Sequence, residues 1–554
     1  MRVSEAGYLG RRDGVDIMVA MNAETYADDV ASLVSGGYLL YDSSRPRPRE
    51  LARSDVVDIG VPISTLLLSE FQDPKQRQLF KNIVYVGALS ALINIDFDVL
   101  TGMVSEQYKG KDALIKPNVH ALEIGRNFAL DYLDNPLPVQ LRRSNAVGER
   151  IMIEGNTASA LGAVYGGATV CAWYPITPST SVAESFERYA NRFRTERETG
   201  KKKFAIMQAE DELAAIGMVI GAAWNGARAF TATSGPGLSL MGEFLGLAYF
   251  AEIPAVLIDV QRAGPSTGMP TRTQQADLMS AVYASHGDTK HVVLIPSSPK
   301  ECFDFSADAL DIADRLQTPV IIMSDLELGM NEVMSDPLVW DDSRKYDRGK
   351  VYHTEDLDRL EKFGRYIDVD GDGIGYRTYP GAHPSKGGFF TRGTSRDEYA
   401  RYTEDPEIYT ENMDRLLVKW QTAKTLVPKP EIHENSPRRP YGVLYYGTTQ
   451  MPIQESLDLL ATDSIHLDTL RIRAVPFTDS VLEFIDNHEL VFIVEQNRDA
   501  QMRMILVNEG NIDPAKVVPV CYYGGLSISA EFIRGEIAKY FATNKLARIS
   551  EVKR

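Results

Sequence analysis

Three short segments place hydroxyl, carboxyl and guanidinium groups on stiff turns beside apolar runs. In Tyr174-Pro175-Ile176-Thr177-Pro178-Ser179-Thr180, two prolines bracket Ile176-Thr177, fixing their own φ and pushing the preceding residues to extended geometry. A hydroxyl at Thr177 or Ser179 can then donate to the oxygens of a bound acid, or simply cap a helix. Glu210-Asp211-Glu212 opens the run Leu213–Ala223, apolar on nearly all sides. Acidic groups at a helix start offset its dipole. Alternatively, a carboxyl there that points into a low-dielectric cleft can hydrogen-bond a ring nitrogen. The third segment, Gln261-Arg262-Ala263-Gly264-Pro265-Ser266-Thr267-Gly268-Met269-Pro270-Thr271-Arg272, follows an apolar strand. Arg262 at that strand's end suits bidentate capture of a carboxylate, or it pins the loop backbone. Between the second and third lies Thr231-Ala232-Thr233-Ser234-Gly235-Pro236-Gly237, where the glycines let a ligand approach the backbone closely.

A fourth cluster lies apart. Asp368-Val369-Asp370-Gly371-Asp372-Gly373-Ile374-Gly375 has the opening of a calcium-binding loop. Asp368, Asp370 and Asp372 with the Ile374 carbonyl would suit Ca2+ or Mg2+. Position 12 is Tyr379 where such loops carry a bidentate glutamate, and the bland alternative is a solvated acidic turn.

Elements able to position these groups follow from periodicity. Asp16–Asn22 reads as a buried strand, Ala23–Val34 as a helix closed by Ser35-Gly36-Gly37, and Tyr38–Asp42 as a second strand. The apolar run Asn82–Ile95 reads as a buried core helix or a strand pair. After a polar linker around 141–145, a new start at Ile151–Asn156 leads into buried strands at 229–233, 255–260, 291–295 and 320–323. That alternation predicts a doubly wound parallel sheet. Residues 336–440 read as an irregular connection, and 441–554 as a further α/β unit. The expected domains are 1–140, 150–335, 336–440 and 441–554, an α/β chain of several open sheets.

Composition limits the function classes. The 554 residues carry a formal charge of −17, which argues against nonspecific nucleic-acid binding. No stretch reads as a membrane span or signal peptide, so a cytoplasmic protein is expected. Cys171, Cys302 and Cys521 lie far apart without a C-x-x-C. An iron–sulfur cluster takes about four thiolates, so this chain by itself is expected to hold none.

Taken together, residues 150–330 resemble the α subunit of 2-oxoacid:ferredoxin oxidoreductases. The shared motifs are Y-P-I-T-P-S, E-D-E-x-A-A, T-S-G-P-G, and Q-R-x-G-P-S-T-G-x-P-T followed by Gln275-Ala276-Asp277-Leu278. Residues 441–545, with Glu495-Gln496-Asn497 and Gly524-Gly525-Leu526, look like the family's transketolase C-terminal-type domain. Residues 1–135 look like its γ domain without the usual glycine-rich opening, which puts a γ role in coenzyme A handling in question. The resemblance implies a thiamine pyrimidine-binding domain in which Glu212 contacts the aminopyrimidine. It also implies that Thr177, Ser179, Thr267 and Arg262 face the 2-oxo acid, and that Pro175, Ile176, Ser234 and Gly235 line the cofactor. It further implies thiamine diphosphate and Mg2+ held mainly by a β subunit that also carries a [4Fe-4S] cluster. Coenzyme A would be co-substrate, ferredoxin the electron acceptor, and (αβ)2 the assembly. The expected substrate is 2-oxoglutarate, with carboxylation of succinyl-CoA as the reverse reaction. Pyruvate, branched or aryl 2-oxo acids are the runners-up, and Arg272 and Lys290 are candidates for a second carboxylate. A non-catalytic scaffold is the reading from another class.

Overall fold

The computed structural model describes residues 2–46 and 51–552. The chain divides into two compact units, Arg12–Gly148, and Glu149 onward joined by the segment ending at Arg11.

In the smaller unit, β1 (Val15–Ala20), β2 (Leu33–Asp42) and β3 (Val57–Val61) form a parallel sheet in that order. The helix expected over Ala23–Val34 shrinks to Tyr26–Ala31. Ser35-Gly36-Gly37 does not close it but lies inside β2, where the pairing with β1 slips between Val15 and Ile17. Gly36, at φ +79, supplies the left-handed residue that this bulge uses. The Asn82–Ile95 run falls mostly in the helix Pro74–Leu92, which buries Val84, Ala88 and Leu92. It crosses the helix Asp112–Tyr132 at Gly87 and Gly125. A methyl group on Gly87 would come within 2.0 Å of the Leu122 carbonyl oxygen, so this close crossing requires glycine.

Residues up to Arg11 do not belong to that unit, which moves the expected 1–140 boundary. Arg2 forks onto Glu455 through two 2.7 Å bonds, and the Tyr8 hydroxyl donates to Asp458 at 2.6 Å.

The larger unit centres on a seven-stranded sheet. Its strands are β5 (Val170–Trp173), β6 (Ala205–Gln208), β7 (Ala229–Thr233), β8 (Ala255–Gln261), β9 (Val292–Leu294), β10 (Pro319–Asp325) and β15 (Ala474–Val475). The order is β15-β9-β10-β8-β7-β5-β6, with every pair parallel except β15·β9. β7 and β8 are buried along their whole length, as expected for strands covered on both faces. The order reverses at β5, flanked by β6 and β7, and a doubly wound sheet opens its ligand crevice at such a point, beyond the strands' carboxyl ends.

β4 (Ile151–Glu154) stands outside this sheet and pairs antiparallel with β11 (Glu332–Ser335). The C-terminal region is built on a sheet of its own. Its sheet is β12 (Glu431–His433), β14 (Asp468–Ile472), β13 (Tyr441–Tyr446), β16 (Leu490–Glu495) and β17 (Val517–Cys521), in that order. Directly after β14 the chain passes into β15 of the large sheet, and one hydrophobic core runs through both. The irregular stretch 336–440 contributes the helix Pro406–Ala423, whose Trp420 and Ala423 join the same core. Among the described residues, no helix is long and apolar enough to cross a membrane.

Candidate active site

The three polar segments converge at the carboxyl ends of β5, β7 and β8. After β5, the Pro175–Ser179 turn precedes the helix Thr180–Phe193. The Ile176 carbonyl accepts from the Ser179 and Thr180 amides at 2.9 and 3.2 Å and from the Ser179 hydroxyl at 3.1 Å. Ser179 is thus buried and turned inward, supporting the turn rather than facing a ligand. Asn156 ties the turn from behind, donating to the Pro178 carbonyl at 2.8 Å and to the Ser181 hydroxyl at 2.9 Å. Pro175 and Thr177 are exposed and Ile176 is half-buried.

The three acidic residues before the apolar helix separate by role. Asp211 is the cap, accepting from the Ala214 amide at 2.7 Å, and Glu210 is exposed. Glu212 is the first residue of the helix Glu212–Trp224 and is buried. That helix is not buried all round, since Leu213 and Met218 stay exposed. Gly237 lies against Glu212: a methyl group there would fall 2.9 Å from Glu212 Cγ and 2.0 Å from Thr233 Oγ1.

Beyond β8, Arg262 is buried and donates through Nη1 to the Thr177 carbonyl at 2.7 Å. This bond joins the first and third segments and fixes the guanidinium at the strand end. Arg262 Nε has no partner among the described residues. Thr267 sits in the exposed loop that follows, closed by bonds from the Met269 amide to the Ala263 carbonyl and from the Ala263 amide to the Arg272 carbonyl, both 2.9 Å. Arg272 is exposed on this same edge. Lys290 is elsewhere, before the start of β9 and paired with Glu509 at 2.7 Å. Its position at the amino ends of the strands removes it as a ligand for a second carboxylate here.

Two carboxyl groups that sequence reasoning gave no role complete the site. Asp259, within β8, is fully buried, and neither of its oxygens has a partner among the described residues. The signal was legible as a lone acid inside the apolar strand Ala255–Val260. Asp277 lies against Gly235, where a methyl group would fall 2.6 Å from either carboxyl oxygen. Burial pushes Asp277 up to about 6, opposed by the charge of Arg262. Burial also drives Asp259 well above the usual carboxylate range, helped by repulsion from Asp277. The Ser234 hydroxyl and Thr231 Oγ1 are likewise buried without a partner among the described residues. Glu212, Thr233, Gly237, Ser234, Gly235, Asp277, Arg262 and Thr177 therefore form one continuous edge.

That edge fits one part of a thiamine cofactor and not another. Glycines at 235 and 237 leave the backbone open to a flat ring, and a buried carboxyl at a helix start stands beside it. Two carboxyls on the edge, Glu212 and Asp277, against the one guanidinium of Arg262 make a poor seat for a diphosphate.

The acidic loop gathers its oxygens as its spacing implies. One ligand atom from each of Asp368, Asp370 and Asp372 lies within 4.8 Å of the others. Between them sits the ammonium of Lys350, which donates to Asp370, to Asp372 Oδ1 at 2.6 Å and to the Ile374 carbonyl at 3.0 Å. Asp368 accepts from the Gly371 and Gly373 amides at 2.9 and 2.8 Å.

Residues 161–362 match the family model described as pyruvate flavodoxin/ferredoxin oxidoreductase, thiamine diphosphate-binding. Residues 1–128 match the pyruvate ferredoxin/flavodoxin oxidoreductase model. Fold and family models thus define a thiamine diphosphate-binding oxidoreductase subunit. Subunit alpha of 2-oxoacid:ferredoxin oxidoreductase 2 from Aeropyrum pernix is 33% identical over 475 residues, covering 82% of this chain and 72% of that one. The 2-oxoglutarate oxidoreductase subunit KorA from Mycobacterium tuberculosis is 33% identical over 354 residues, 59% of this chain and 52% of that one. The 2-oxoglutarate synthase subunit KorA from Methanocaldococcus jannaschii is 33% identical over 341 residues, 61% of this chain and 86% of that one. Among solved structures, the 2-oxoglutarate:ferredoxin oxidoreductase from Magnetococcus marinus, with 2-oxoglutarate, coenzyme A and succinyl-CoA bound, superimposes with a TM-score of 0.84. Identity is 26%, over 96% of this chain and 88% of that one. The chain belongs to the 2-oxoacid:ferredoxin oxidoreductase α-subunit family.

Proposed function

We propose that this chain forms the pyrimidine- and substrate-facing wall of a 2-oxoglutarate:ferredoxin oxidoreductase. In that reaction 2-oxoglutarate and coenzyme A become succinyl-CoA and CO2, while two ferredoxins each take one electron. Thiamine diphosphate supplies the carbon nucleophile and electron sink when bound. The observation that carries the reading is Glu212, a buried carboxyl at a helix start beside the Thr233–Gly237 turn. Its role is to hold a proton on the aminopyrimidine N1′. Arg262, fixed by the Thr177 carbonyl, grips the C1 carboxylate of the 2-oxo acid. The exposed Thr177 and Thr267 hydroxyls face the keto and carboxylate oxygens. Arg272, exposed on the same edge, meets the second carboxylate.

The acidic balance of this edge leaves the diphosphate and Mg2+ to a β subunit. The three scattered cysteines leave the [4Fe-4S] cluster to it as well. The subunits meet as (αβ)2 in the cytoplasm, and the reaction runs in either direction. The names of the relatives and of the Magnetococcus structure favour 2-oxoglutarate. Pyruvate is the second reading, favoured by the descriptions of the two family models.

Co-purification with the partner chain, then assay of a 2-oxo acid panel with coenzyme A and ferredoxin, tests the proposal. The expected result is preference for 2-oxoglutarate, lost in Arg272→Ala with little change for pyruvate. Turnover by the isolated chain would overturn the shared-site reading.

A further inference from the structure

Asp259 and Asp277 have no task in the reaction as described so far. Both oxygens of Asp259 and Oδ2 of Asp277 are buried with no donor among the described residues. Sealed in this way, none of the three touches a bound molecule. Whatever the pair does to a ligand, it does through a neighbour, and that neighbour is Arg262. Besides burial, the charge of Arg262 acts on Asp277, and Asp277 in turn repels Asp259.

These groups are fixed in place. Asp259 is held inside β8, in register with Thr233 of β7 and Met323 of β10. Arg262 follows three residues later and is anchored by its 2.7 Å bond to the Thr177 carbonyl. The Asp277 amide donates to Gln261 Oε1 at 3.1 Å, and Gln261 Nε2 donates to the Ser324 carbonyl at 3.1 Å. Asp277 is thereby tied to the residue that precedes Arg262. Just before it, the Gln275 amide bonds the Gln496 carbonyl at 2.9 Å, and Gln501 Nε2 bonds the Ala276 carbonyl at 2.7 Å.

The other charged groups around this segment have partners or face solvent. Asp325, at the end of β10, accepts from Thr448, Gln275 and the Leu328 amide, and Glu495 accepts from the Met502 and Arg503 amides. Arg498 pairs with Asp499 at 2.7 Å, and Arg272 is exposed. Glu212 lies along the same turn, against Gly237. Arg262 is the cation of the buried edge, and an ionised Asp277 balances it. A substrate carboxylate arriving at Arg262 adds a second negative charge against one guanidinium, and in a low-dielectric site the two disfavour each other strongly. A cluster this rigid answers by taking up a proton rather than by moving.

We propose that Asp277 is a positioning residue that couples substrate binding to protonation: the C1 carboxylate of the 2-oxo acid docks on Arg262 as a proton from solvent settles on Asp277, beside Asp259. The inference rests on the assignment of Arg262 to that carboxylate. In the empty site Asp277 lies at about 6. Below that value the proton is already in place; above it the proton must be supplied, so substrate binding weakens as pH rises.

Calorimetry of the full complex with 2-hydroxyglutarate tests this, because that analogue keeps the carboxylates and has no keto carbon to react. Titrations near pH 7 in buffers of different ionisation enthalpy count the protons. Uptake of about 0.5–1 proton per analogue bound is expected, kept in Glu212→Gln and abolished in Asp277→Asn. The KM for the 2-oxo acid is expected to rise about tenfold between about pH 6.5 and 8 and to be level in Asp277→Asn, with kcat following the same pH profile in both. A complex that turns 2-oxo acids over but binds the analogue without proton uptake overturns the inference and leaves the function standing, as does uptake that survives in Asp277→Asn. A complex that turns over no 2-oxo acid overturns both. A wild-type count of zero overturns the coupling even if Asp277→Asn fails to fold.

Discussion

The carboxyl edge of the large sheet and the junction between its two sheets are both buried and polar, yet they are built to opposite rules. At the junction the charged groups are paired and the amide donors engaged, although Gln275 Oε1 keeps no partner among the described residues. Glu301 accepts both arms of Arg471 at 2.7 and 2.8 Å, Arg473 Nε at 2.9 Å, and the Ser297 amide and hydroxyl at 2.9 Å. Nearby, Gln275 donates to Asp325 at 2.7 Å and to Thr448 at 3.0 Å, and Gln496 donates to Thr448 at 2.9 Å. Asn497 reaches back to the Gln275 carbonyl at 3.1 Å. At the edge, by contrast, Ser234, Asp259, Asp277 and Arg262 each keep an atom without a partner among the described residues. Buried polar groups are normally satisfied, so a contiguous set that is not marks a place kept ready for something else. The junction spends its polar groups on position. Through Gln275 it fixes the segment that delivers Asp277 behind Gly235.

Removing one group from each region separates the two rules. Glu212→Gln should lower ferredoxin reduction by the complex about 10⁴-fold, ~5 kcal/mol in the barrier. Melting temperature and co-purification with the partner should stay unchanged. Near-normal turnover would take Glu212 out of the chemistry. Glu301→Ala should do the reverse, costing about 3 kcal/mol of stability by leaving the buried Arg471 with only the exposed carboxylate of Glu431. Urea melts of the chain check this. Burial pushes Glu301 up, but Arg471 and Arg473 more than reverse it and hold it at about 2. This stabilisation is present above the ordinary carboxylate value and is lost as pH falls towards 2, so the variant's deficit should shrink in acid.

What the sequence made legible follows the same division. Strong local signals survived: the apolar strands β7, β8 and β10, the double proline after β5, and the order of the polar segments. Which of Glu210, Asp211 and Glu212 is buried was not legible from the apolar run, and only the resemblance to a known family pointed to Glu212. Long-range pairings were not legible. Nothing local announces that Ala474–Val475 leaves one sheet for another, or that residues up to Arg11 lie against Glu455. The inward turn of the Ser179 hydroxyl depends on a backbone carbonyl whose direction no side-chain pattern encodes. Gly36 misled because a left-handed glycine serves a bulge as well as a turn. Asp259 and Asp277 stood in plain view but were read as a strand residue and as part of a motif. Their importance lies in lacking partners, which only three-dimensional packing reveals.

The edge's incomplete satisfaction should also be measurable as stored instability. Asp277 sits at about 6, above its ordinary value. Between the ordinary value and about 6 the folded chain binds this proton more tightly than the unfolded chain does. Its contribution is therefore most favourable in acid and is lost as pH rises through about 6. Asp277→Asn mimics the protonated form, so it should match the wild type near pH 4 and gain about 2–3 kcal/mol above pH 7. Denaturant melts across that range would show it. A gain independent of pH would mean that packing against Gly235, not charge, sets the strain.

The acidic loop is the mildest test, because it is a polar cluster completed from within. Lys350 fills the place where the spacing of Asp368, Asp370, Asp372 and Ile374 invites a divalent cation. Burial works against its charge, but bonds to Asp370 and Asp372 win and raise it above the ordinary lysine value. A divalent ion must therefore displace a well-held ammonium in the wild type. In Lys350→Met the carboxylates remain, repulsion between them is uncompensated, and hard-cation ligands stand ready. That variant should lose about 1 kcal/mol in chelator, recover it on adding Ca2+, and carry about one Ca2+ per chain by elemental analysis. The wild type should show no such recovery. A wild-type chain that already carries stoichiometric metal, lost in Asp370→Ala, would instead place the loop with the edge, as a site that is finished by its ligand.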